Sequence, residues 1–263
     1  ALHSLENSLR CPLFKNEGRN LIPLKSAYVL EEHSKKIIQD IVTTVNKTRE
    51  AAGFASKVFH LGSLYSLTVN TIPSVISGLK LRRGDLDIQL SLSSNLDLVK
   101  KLKATELDAI IVALNETTSG QEFEHLPMFE DDIFLAVNKD SKYVGCDEID
   151  LSQLKDETFL TLKKGFATRN DSDFVFEKAG INPKVFLQVS DIFTLISMVS
   201  SGVGLALLPG RISTIYESSV KLIRLKAQYQ IKQQIGLVFL KSKERDPNLL
   251  AFIAECRMFS RHV

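Results

Sequence analysis

The segment from Ser26 to Phe54 constrains the fold more than any other, because it contains no proline and no glycine before Gly53. No helix breaker therefore interrupts it, and its apolar residues recur at intervals of three and four, which is the repeat of an amphipathic helix. A continuous helix of this length spans about 40 Å. Because a small domain cannot cover so long a helix by itself, the segment predicts a rod that links separate parts of the protein.

One side of this helix is apolar and predicts a partner. The apolar stripe consists of Leu30, Ile37, Ile38, Ile41 and Val45. Charged and amide side chains occupy the other side, at Glu31, Glu32, Lys35, Lys36, Gln39 and Asp40. This division is typical of a helix that pairs with a second copy of itself, so we predict a dimer contact along the stripe. The alternative is that the stripe packs against the larger domain of its own chain.

The residues ahead of the rod predict a short helix and then a hairpin. One face of the short helix is formed by Leu2, Leu5 and Leu9. Pro12 is expected to end this helix. Apolar pairs at 13–14 and 21–22 then flank a segment that contains the Asn and Gly of tight turns, which predicts two short strands.

The tip of the predicted hairpin carries two cations. Lys15 and Arg19 suit contacts with phosphate groups, and such contacts fix the position of a protein on DNA rather than read its bases. The chain as a whole has a net charge of +2, so any affinity for nucleic acid has to come from local clusters of this kind. The alternative is an ordinary hairpin with solvated charges.

After Lys57 the pattern changes to alternating strands and helices. The first set has strands over 58–62, 86–92 and 108–112 and helices over 67–79 and 96–103. The second set has strands over 159–162, 183–188 and 204–208 and helices over 168–179 and 191–201. Further strands are predicted over 133–137 and 235–240, and a last helix over 247–259. This order predicts two parallel α/β lobes joined by crossing strands, with a ligand cleft beyond the carboxyl ends of the strands.

Several local runs resemble the LysR-type transcriptional regulators. Residues 1–19 are similar to the end of the family's winged helix-turn-helix, residues 104–108 to its A-G-E-L-D run, and residues 200–209 to its G-x-G-I-A-x-L-P run. The amino-terminal part departs from the family pattern at Arg10, Asn16, Lys25 and Tyr28. The resemblance extends over essentially the whole chain.

The resemblance implies an α/β fold in three parts. These are a partial winged helix-turn-helix DNA-binding domain at 1–25, a linker and dimerisation helix at 26–56, and a two-lobed effector-binding domain at 57–263 that is similar to type 2 periplasmic-binding proteins. Lobe I is expected at about 57–134 and 238–263, and lobe II at about 135–237. Family members have about two more helices ahead of this point, so we expect the sequence to begin within the DNA-binding domain.

Short hydroxyl and amide residues follow three of the predicted strands. They are Ser63, Ser66, Ser93, Ser94, Asn95 and Ser190. Backbone N–H groups at the start of a helix lack helical partners, and the helix dipole favours an anion there, so these turns predict an anion-binding pocket. The alternative is that each side chain only caps its own helix.

The resemblance assigns roles to individual residues of this pocket. Ser66 and Asn95 fall where family members hold the carboxylate of an effector, and the turn 161–169 of the other lobe supplies further contacts. The expected effector-binding residues are Ser66, Ser94, Asn95, Thr161, Lys163, Thr168, Arg169 and Ser190. Arg169 can grip a carboxylate through two hydrogen bonds, whereas a lysine such as Lys163 is more often solvated.

No catalytic motif accompanies these turns. The sequence contains no G-x-S-x-G, no phosphate loop, no H-E-x-x-H and no G-x-G-x-x-G after the first strand, and its three cysteines form no C-x-x-C pair. We therefore expect no enzyme activity, no metal and no cofactor. No apolar run approaches the roughly 20 residues of a membrane helix, and reduced thiols favour a cytoplasmic protein.

The resemblance implies a DNA-binding transcriptional regulator that senses a small organic anion. Runs at 235–240, 243–250 and 255–257 resemble the subgroup associated with malonate utilisation, so malonate or another dicarboxylate is the expected effector, with aromatic acids as the competing class. The expected partners are double-stranded DNA at a promoter or operator, the carboxylate, and further copies of the chain in a homodimer or homotetramer, with no membrane.

Two other functions remain open at this point. A solute-binding protein of a transport system would share the two-lobed cleft, but it would carry a signal peptide and no winged segment. A ligand-independent scaffold that dimerises through 26–54 would not be stabilised by any small acid.

Overall fold

The structure, a computed structural model, describes residues 2–18, 20–52 and 57–262. The chain divides into two compact units, residues 1–56 and residues 57–263. Within the described residues, no helix has both the length and the hydropathy that crossing a bilayer requires.

The first unit begins with a helix and a hairpin. Helix α1 (Leu2–Leu9) is followed by strands β1 (Phe14–Glu17) and β2 (Asn20–Pro23), which pair antiparallel. The prediction that Pro12 ends the helix is wrong, because Arg10 already adopts a left-handed conformation with φ of 54°. The carboxylate of Glu6 accepts hydrogen bonds from the backbone N–H groups of Leu13, at 2.7 Å, and Phe14, at 3.2 Å. These two bonds tie the helix to the hairpin and lower the pKa of Glu6.

The predicted rod is helix α2 (Lys25–Ala51). Its amino terminus is held by the hydroxyl of Ser26, which donates to the backbone oxygen of Pro12. The side chains at the middle of the predicted stripe are exposed in this chain, at Ile37, Ile38, Ile41 and Val45, whereas Leu30 is half-buried. The end of the helix predicted over 53–54 lies outside the described residues.

Lobe I of the second unit is a parallel β-α-β-α-β unit, as predicted. Its elements are β3 (Val58–Ser63), α3 (Thr71–Arg82), β4 (Asp87–Leu92), α4 (Asn95–Lys103) and β5 (Ala109–Ala113). Strand β3 lies between β4 and β5 and pairs parallel with both. The helix predicted over 67–79 is wrong in its bounds, because the chain first makes a separate 3-10 turn at Tyr65–Thr68.

Lobe II repeats this order. Its elements are β8 (Thr158–Leu162), α5 (Ala167–Lys178), β9 (Lys184–Val189), α6 (Ile192–Ser200) and β10 (Ala206–Pro209). Strands β8 and β9 pair parallel, and Leu205 forms a parallel bridge with Phe159. Gly202, with φ of +74°, lets the chain leave α6, as predicted for a helix exit.

Two long strands run through both lobes. Strand β6 (Phe123–Asn138) pairs antiparallel with β12 (Lys232–Leu240) along residues 123–132, and its remaining residues pair with β10 and with β11 (Val220–Leu225). The short strand β7 (Glu148–Ile149) completes the edge beside β11. Strand β11 and residues 123–132 of β6 were not predicted. The remaining helices are α7 (Ser213–Tyr216) and α8 (Pro247–Ser260).

The buried side chains form separate cores in the two lobes. In lobe I, Phe59 of β3 packs against Phe252 of α8, with ring centroids 5.1 Å apart. In lobe II the sheet has a core on each face, one around Phe159 and Leu135 and the other around Ile196 and Leu208. Strand β6 contributes side chains to all three cores.

Gly62 of β3 tests the packing of lobe I. A Cβ atom at this position would lie 2.7 Å from Leu107 Cδ1 and 2.8 Å from Ile110 Cγ2 and from Leu98 Cδ2. We expect Gly62→Ala to lower the free energy of unfolding by about 1–3 kcal/mol, because these buried side chains have to shift. Chemical denaturation measures the change. Gly145→Ala is the matched control, because nothing lies within 4 Å of its Cβ position. Equal effects of the two substitutions would contradict the packing described here.

Candidate functional site

A small cavity lies between the lobes at the carboxyl ends of the strands. Lobe I lines it with Leu64, Tyr65, Ser66 and Ser93, and lobe II lines it with Leu162, Phe166, Ala167, Thr168 and Ile192. Its volume of about 20 Å³ is room for about one water molecule. Most of the wall is apolar, and serine and threonine hydroxyls interrupt it from both lobes.

Two of the predicted effector-binding residues reach this cavity from opposite sides. Ser66, in the 3-10 turn after β3, is buried in lobe I, and Thr168, in the first turn of α5, is buried in lobe II. Both are short hydroxyl side chains that can donate a hydrogen bond to an anion. The structure therefore brings together two residues that are about 100 positions apart in the sequence.

Ser94 and Asn95 are engaged in the structure of lobe I. Ser94 caps α4, because its hydroxyl accepts from the N–H of Asp97 at 3.2 Å and donates to the carboxylate of that residue at 2.8 Å. Asn95 is buried and accepts from the N–H of Ala113 at 3.1 Å. The turn reaches the cavity wall through Ser93.

The start of α4 also contacts the other lobe. The N–H of Leu96, in the first turn of α4, donates to the backbone oxygen of Gly165 at 3.1 Å. Gly165 has φ of +97°, a conformation that glycine adopts without strain. One of the helix N–H groups that were expected to bind an anion is thus hydrogen-bonded to a carbonyl oxygen of lobe II.

The turn 161–169 presents its cations in two different ways. Lys163 and Lys164 are exposed. Arg169 is only 13% exposed, and its Nε donates to both carboxylate oxygens of Asp173, each at 2.8 Å. Its Nη1 donates to the oxygen of Leu162 at 3.2 Å and to the hydroxyl of the buried Thr161 at 3.4 Å. Arg169 therefore has an anionic partner in its own helix.

Ser190, which was predicted to bind the effector with capping of α6 as the alternative, does not cap this helix. The capping residue is Asp191, whose carboxylate accepts from the N–H of Thr194 at 2.8 Å and from its hydroxyl at 2.7 Å. Ser190 is exposed. A carboxylate satisfies the helix N–H groups better than a neighbouring hydroxyl, so the helix begins one residue later than the serine would set it.

Sequence reasoning missed Arg211, which lies in the turn Gly210–Ile212 after β10. Its side chain is 10% exposed and donates through Nη1 to Asp131 at 2.9 Å, through Nη2 to Gln233 at 2.6 Å, and through Nε to the hydroxyl of Ser66 at 2.9 Å. Burial lowers the pKa of the guanidinium, and Asp131 opposes the shift. The signal in the sequence is a cation two positions after the family-like run 200–209.

Asp171 of α5 joins the same cluster through Gln233. Gln233 donates to its carboxylate, and burial raises the pKa of Asp171 to about 6 although this hydrogen bond and Arg211 act in the opposite direction. Gln233 and Asp131 are paired positions of β12 and β6. The cluster thus links lobe I, the crossing strands and lobe II directly beside the cavity.

Among the described residues, no group of acidic, histidine and cysteine side chains could hold a metal ion.

Comparison with known proteins identifies the family. The model of the LysR substrate binding domain matches residues 52–260. A malonate utilization transcriptional regulator of Klebsiella pneumoniae is 42% identical over 264 residues, which cover 100% of this chain and 86% of that protein. The chain belongs to the LysR family of transcriptional regulators. The predicted family and regulator function are confirmed, rather than the alternative of a solute-binding protein of a transport system.

Solved structures of LysR regulators share the fold. The effector binding domain of QuiR in complex with shikimate has a TM-score of 0.71 and 20% identity, over 78% of this chain and 97% of that chain. Full-length CbnR complexed with its target DNA has a TM-score of 0.70 and 16% identity, over 98% of this chain and 87% of that chain. The predicted two-lobed fold class is confirmed.

The raised pKa of Asp171 predicts how stability depends on pH. The folded chain binds this proton more tightly than an unfolded chain with a pKa near 3.8, so the stabilisation is complete below pH 3.8 and is lost as the pH rises through about 6. We expect Asp171→Asn to be more stable than the unsubstituted chain at pH 8, by up to about 3 kcal/mol, and equal to it near pH 4. Urea denaturation at several pH values measures the difference.

Exposed Asp156 provides the control for this experiment. Asp156→Asn removes the same charge from the surface, where solvent screens it, so we expect little change with pH. A difference between Asp171→Asn and the unsubstituted chain that stays constant from pH 4 to pH 8 would contradict the assignment.

Proposed function

We propose that this LysR regulator senses a small dicarboxylate, with malonate as the first candidate, in the cavity between its lobes. The observation that carries the proposal is the pair of buried hydroxyls, Ser66 and Thr168, that face one cavity from the two lobes. The relative that is 42% identical over the full chain is named for malonate utilization, which supports the choice of ligand. In this proposal the chain acts as a non-enzymatic sensor in the cytoplasm, where it binds promoter DNA.

A dicarboxylate suits this cavity because donors come from both sides. One carboxylate would accept from Ser66 and the turn at Ser93, and the other from Thr168 at the start of α5, where the helix dipole favours negative charge. Arg169 lies one residue further along α5 and would have to share its guanidinium between Asp173 and the ligand. Ser94, Asn95 and Thr161 would act by positioning the backbone, since their side chains already have partners.

The size of the cavity predicts that the lobes respond to the ligand. A dicarboxylate is larger than the single water molecule that about 20 Å³ accommodates, so the two walls have to move apart on binding. The bond between Leu96 and Gly165 crosses this boundary and would be exchanged for a bond to the ligand. A ligand that prefers one lobe arrangement shifts the population toward it, and the affinity for DNA follows from that shift.

Thr168→Val tests the ligand site. Valine has nearly the shape of threonine but no hydroxyl, so we expect the malonate affinity to fall about tenfold with little change in thermal stability. Isothermal calorimetry of the full chain measures the affinity, and malonate should also raise the melting temperature as its concentration rises. Thr214→Val, at an exposed threonine of the same lobe, is the matched control. Stabilisation by an aromatic acid and none by malonate would contradict the choice of ligand.

We also propose that α2 pairs with a second copy of itself. The exposed fraction of four side chains of the stripe is 49–61%, at Ile37, Ile38, Ile41 and Val45. Full burial of one such side chain would stabilise the protein by about 1.5–3 kcal/mol. A second copy presents the same stripe and can cover it.

At the hairpin, Lys15 would contact DNA phosphates together with Arg19, which lies outside the described residues. Lys15 now pairs with Glu17 at 3.0 Å.

Ile41→Lys tests the dimer. A lysine in the middle of the stripe brings two cations together across the pair, so we expect the dissociation constant to rise at least about tenfold. Analytical ultracentrifugation of the full chain measures the change. Glu32→Lys places the same residue on the charged side of the helix and should leave the dimer intact. A chain that stays equally dimeric with Ile41→Lys would show that the contact lies elsewhere.

A further inference from the structure

Arg211 is a cation that does not line the cavity but hydrogen-bonds to Ser66, which does. Arg211 is held by Asp131 through two bonds to one carboxylate oxygen, from its backbone N–H at 3.0 Å and from Nη1 at 2.9 Å. These two bonds use one N–H group of the guanidinium, so its other donors need partners elsewhere. The acceptor for Nε is the hydroxyl of Ser66, a residue 145 positions away in the other lobe.

The direction of the bond to Ser66 follows from the chemistry of arginine. A guanidinium has only donors, so the Ser66 oxygen must be the acceptor, and its own hydrogen points elsewhere. Ser66 is 4% exposed and lines the cavity. Across the described residues, the Ser66 side chain makes no other hydrogen bond, so its hydroxyl hydrogen can point into the cavity.

We propose that Arg211 is a positioning residue that orients the Ser66 hydroxyl as a donor to one carboxylate of the effector. The inference rests on the function proposed above. A hydroxyl that accepts from a cation becomes a stronger donor, because hydrogen bonds in a chain polarise one another. Arg211 thereby conveys positive charge to the cavity without contacting the ligand, and it favours an anion over a neutral molecule of the same shape.

The surroundings of Arg211 keep this arrangement fixed. Gln233 accepts from Nη2 at 2.6 Å and donates to Asp171, so the guanidinium plane is held on three sides. Lysine cannot replace it, since an ammonium group lacks the planar fork that reaches Asp131, Gln233 and Ser66 together. Lysine does keep the charge that Asp131 needs.

Arg211→Lys, Ser66→Ala and the double substitution test the proposal in the full chain. Calorimetry is carried out with malonate and with its monoamide, in which one carboxylate is replaced by a neutral group. We expect each single substitution to weaken malonate binding about tenfold, equivalent to about 1.4 kcal/mol, and the double substitution to weaken it no further. The preference for malonate over the monoamide should shrink by a similar factor in all three variants. Arg224→Lys, at an exposed arginine of β11, is the control and should change neither quantity.

Each outcome separates the inference from the function on which it rests. If the unsubstituted chain binds malonate and the effects of Ser66→Ala and Arg211→Lys add, or if Arg211→Lys lowers both affinities equally, Arg211 has a structural role and the inference is wrong. If the unsubstituted chain binds neither compound, the proposed ligand is wrong. Should Arg211→Lys not fold, Arg211→Gln combined with Asp131→Asn removes both charges of the buried pair, and the same loss of preference is expected. Ser66→Ala alone without any loss of malonate affinity would also overturn the inference.

Discussion

Strand β6 supports both lobes of the second unit, because its 16 residues serve two sheets with different neighbours. Residues 123–132 hydrogen-bond with β12, and residues 133–138 hydrogen-bond with β10 and β11. Buried backbone groups stay paired along the strand, and its hydrogen-bonding partner changes between residues 132 and 133. Asp131 and Gln233 face each other at that junction, and Arg211 binds both. A change in the angle between the lobes would therefore act on the cluster that also holds Ser66.

The parts of the fold that the sequence predicts are those with a local signal. Strand β5 is a run of five apolar residues and is fully buried, and the alternation of such runs with helical repeats identifies both parallel units. The first half of β6 gives no such signal, because Glu124, Glu130 and Asp132 interrupt its apolar positions. Strand β11 gives no clear period of two either, because V-K-L-I-R-L places two apolar residues side by side between its two cations.

Some residues of the candidate site have a local signal in the sequence, whereas others meet only through contacts between distant parts of the chain. Ser66 and Thr168 follow buried strands and were predicted from the resemblance to a family, and both reach the cavity. The sequence does not show which of two adjacent polar residues caps a helix, and in α6 the capping residue is Asp191 rather than Ser190. Arg211 could not be assigned from spacing, because its partners stand at positions 66, 131 and 233 and meet only when the two lobes and the crossing strands are assembled.

One hydrogen bond between the lobes is weak enough for a small ligand to replace it. Lobe II offers the Gly165 oxygen to the N–H of Leu96, and a typical hydrogen bond of this kind contributes about 1 kcal/mol net. A carboxylate accepting the same N–H forms a charge-assisted bond about twice as strong, and it gains further donors from both walls of the cavity. In the proposed site, the ligand would therefore replace the carbonyl with a net gain in free energy, and the apolar wall around Phe166 and Leu64 would exclude water and strengthen each remaining bond. A ligand with a single carboxylate would replace the carbonyl but leave the donors of the opposite lobe unused, and this asymmetry is the physical reason to expect selection for two carboxylates.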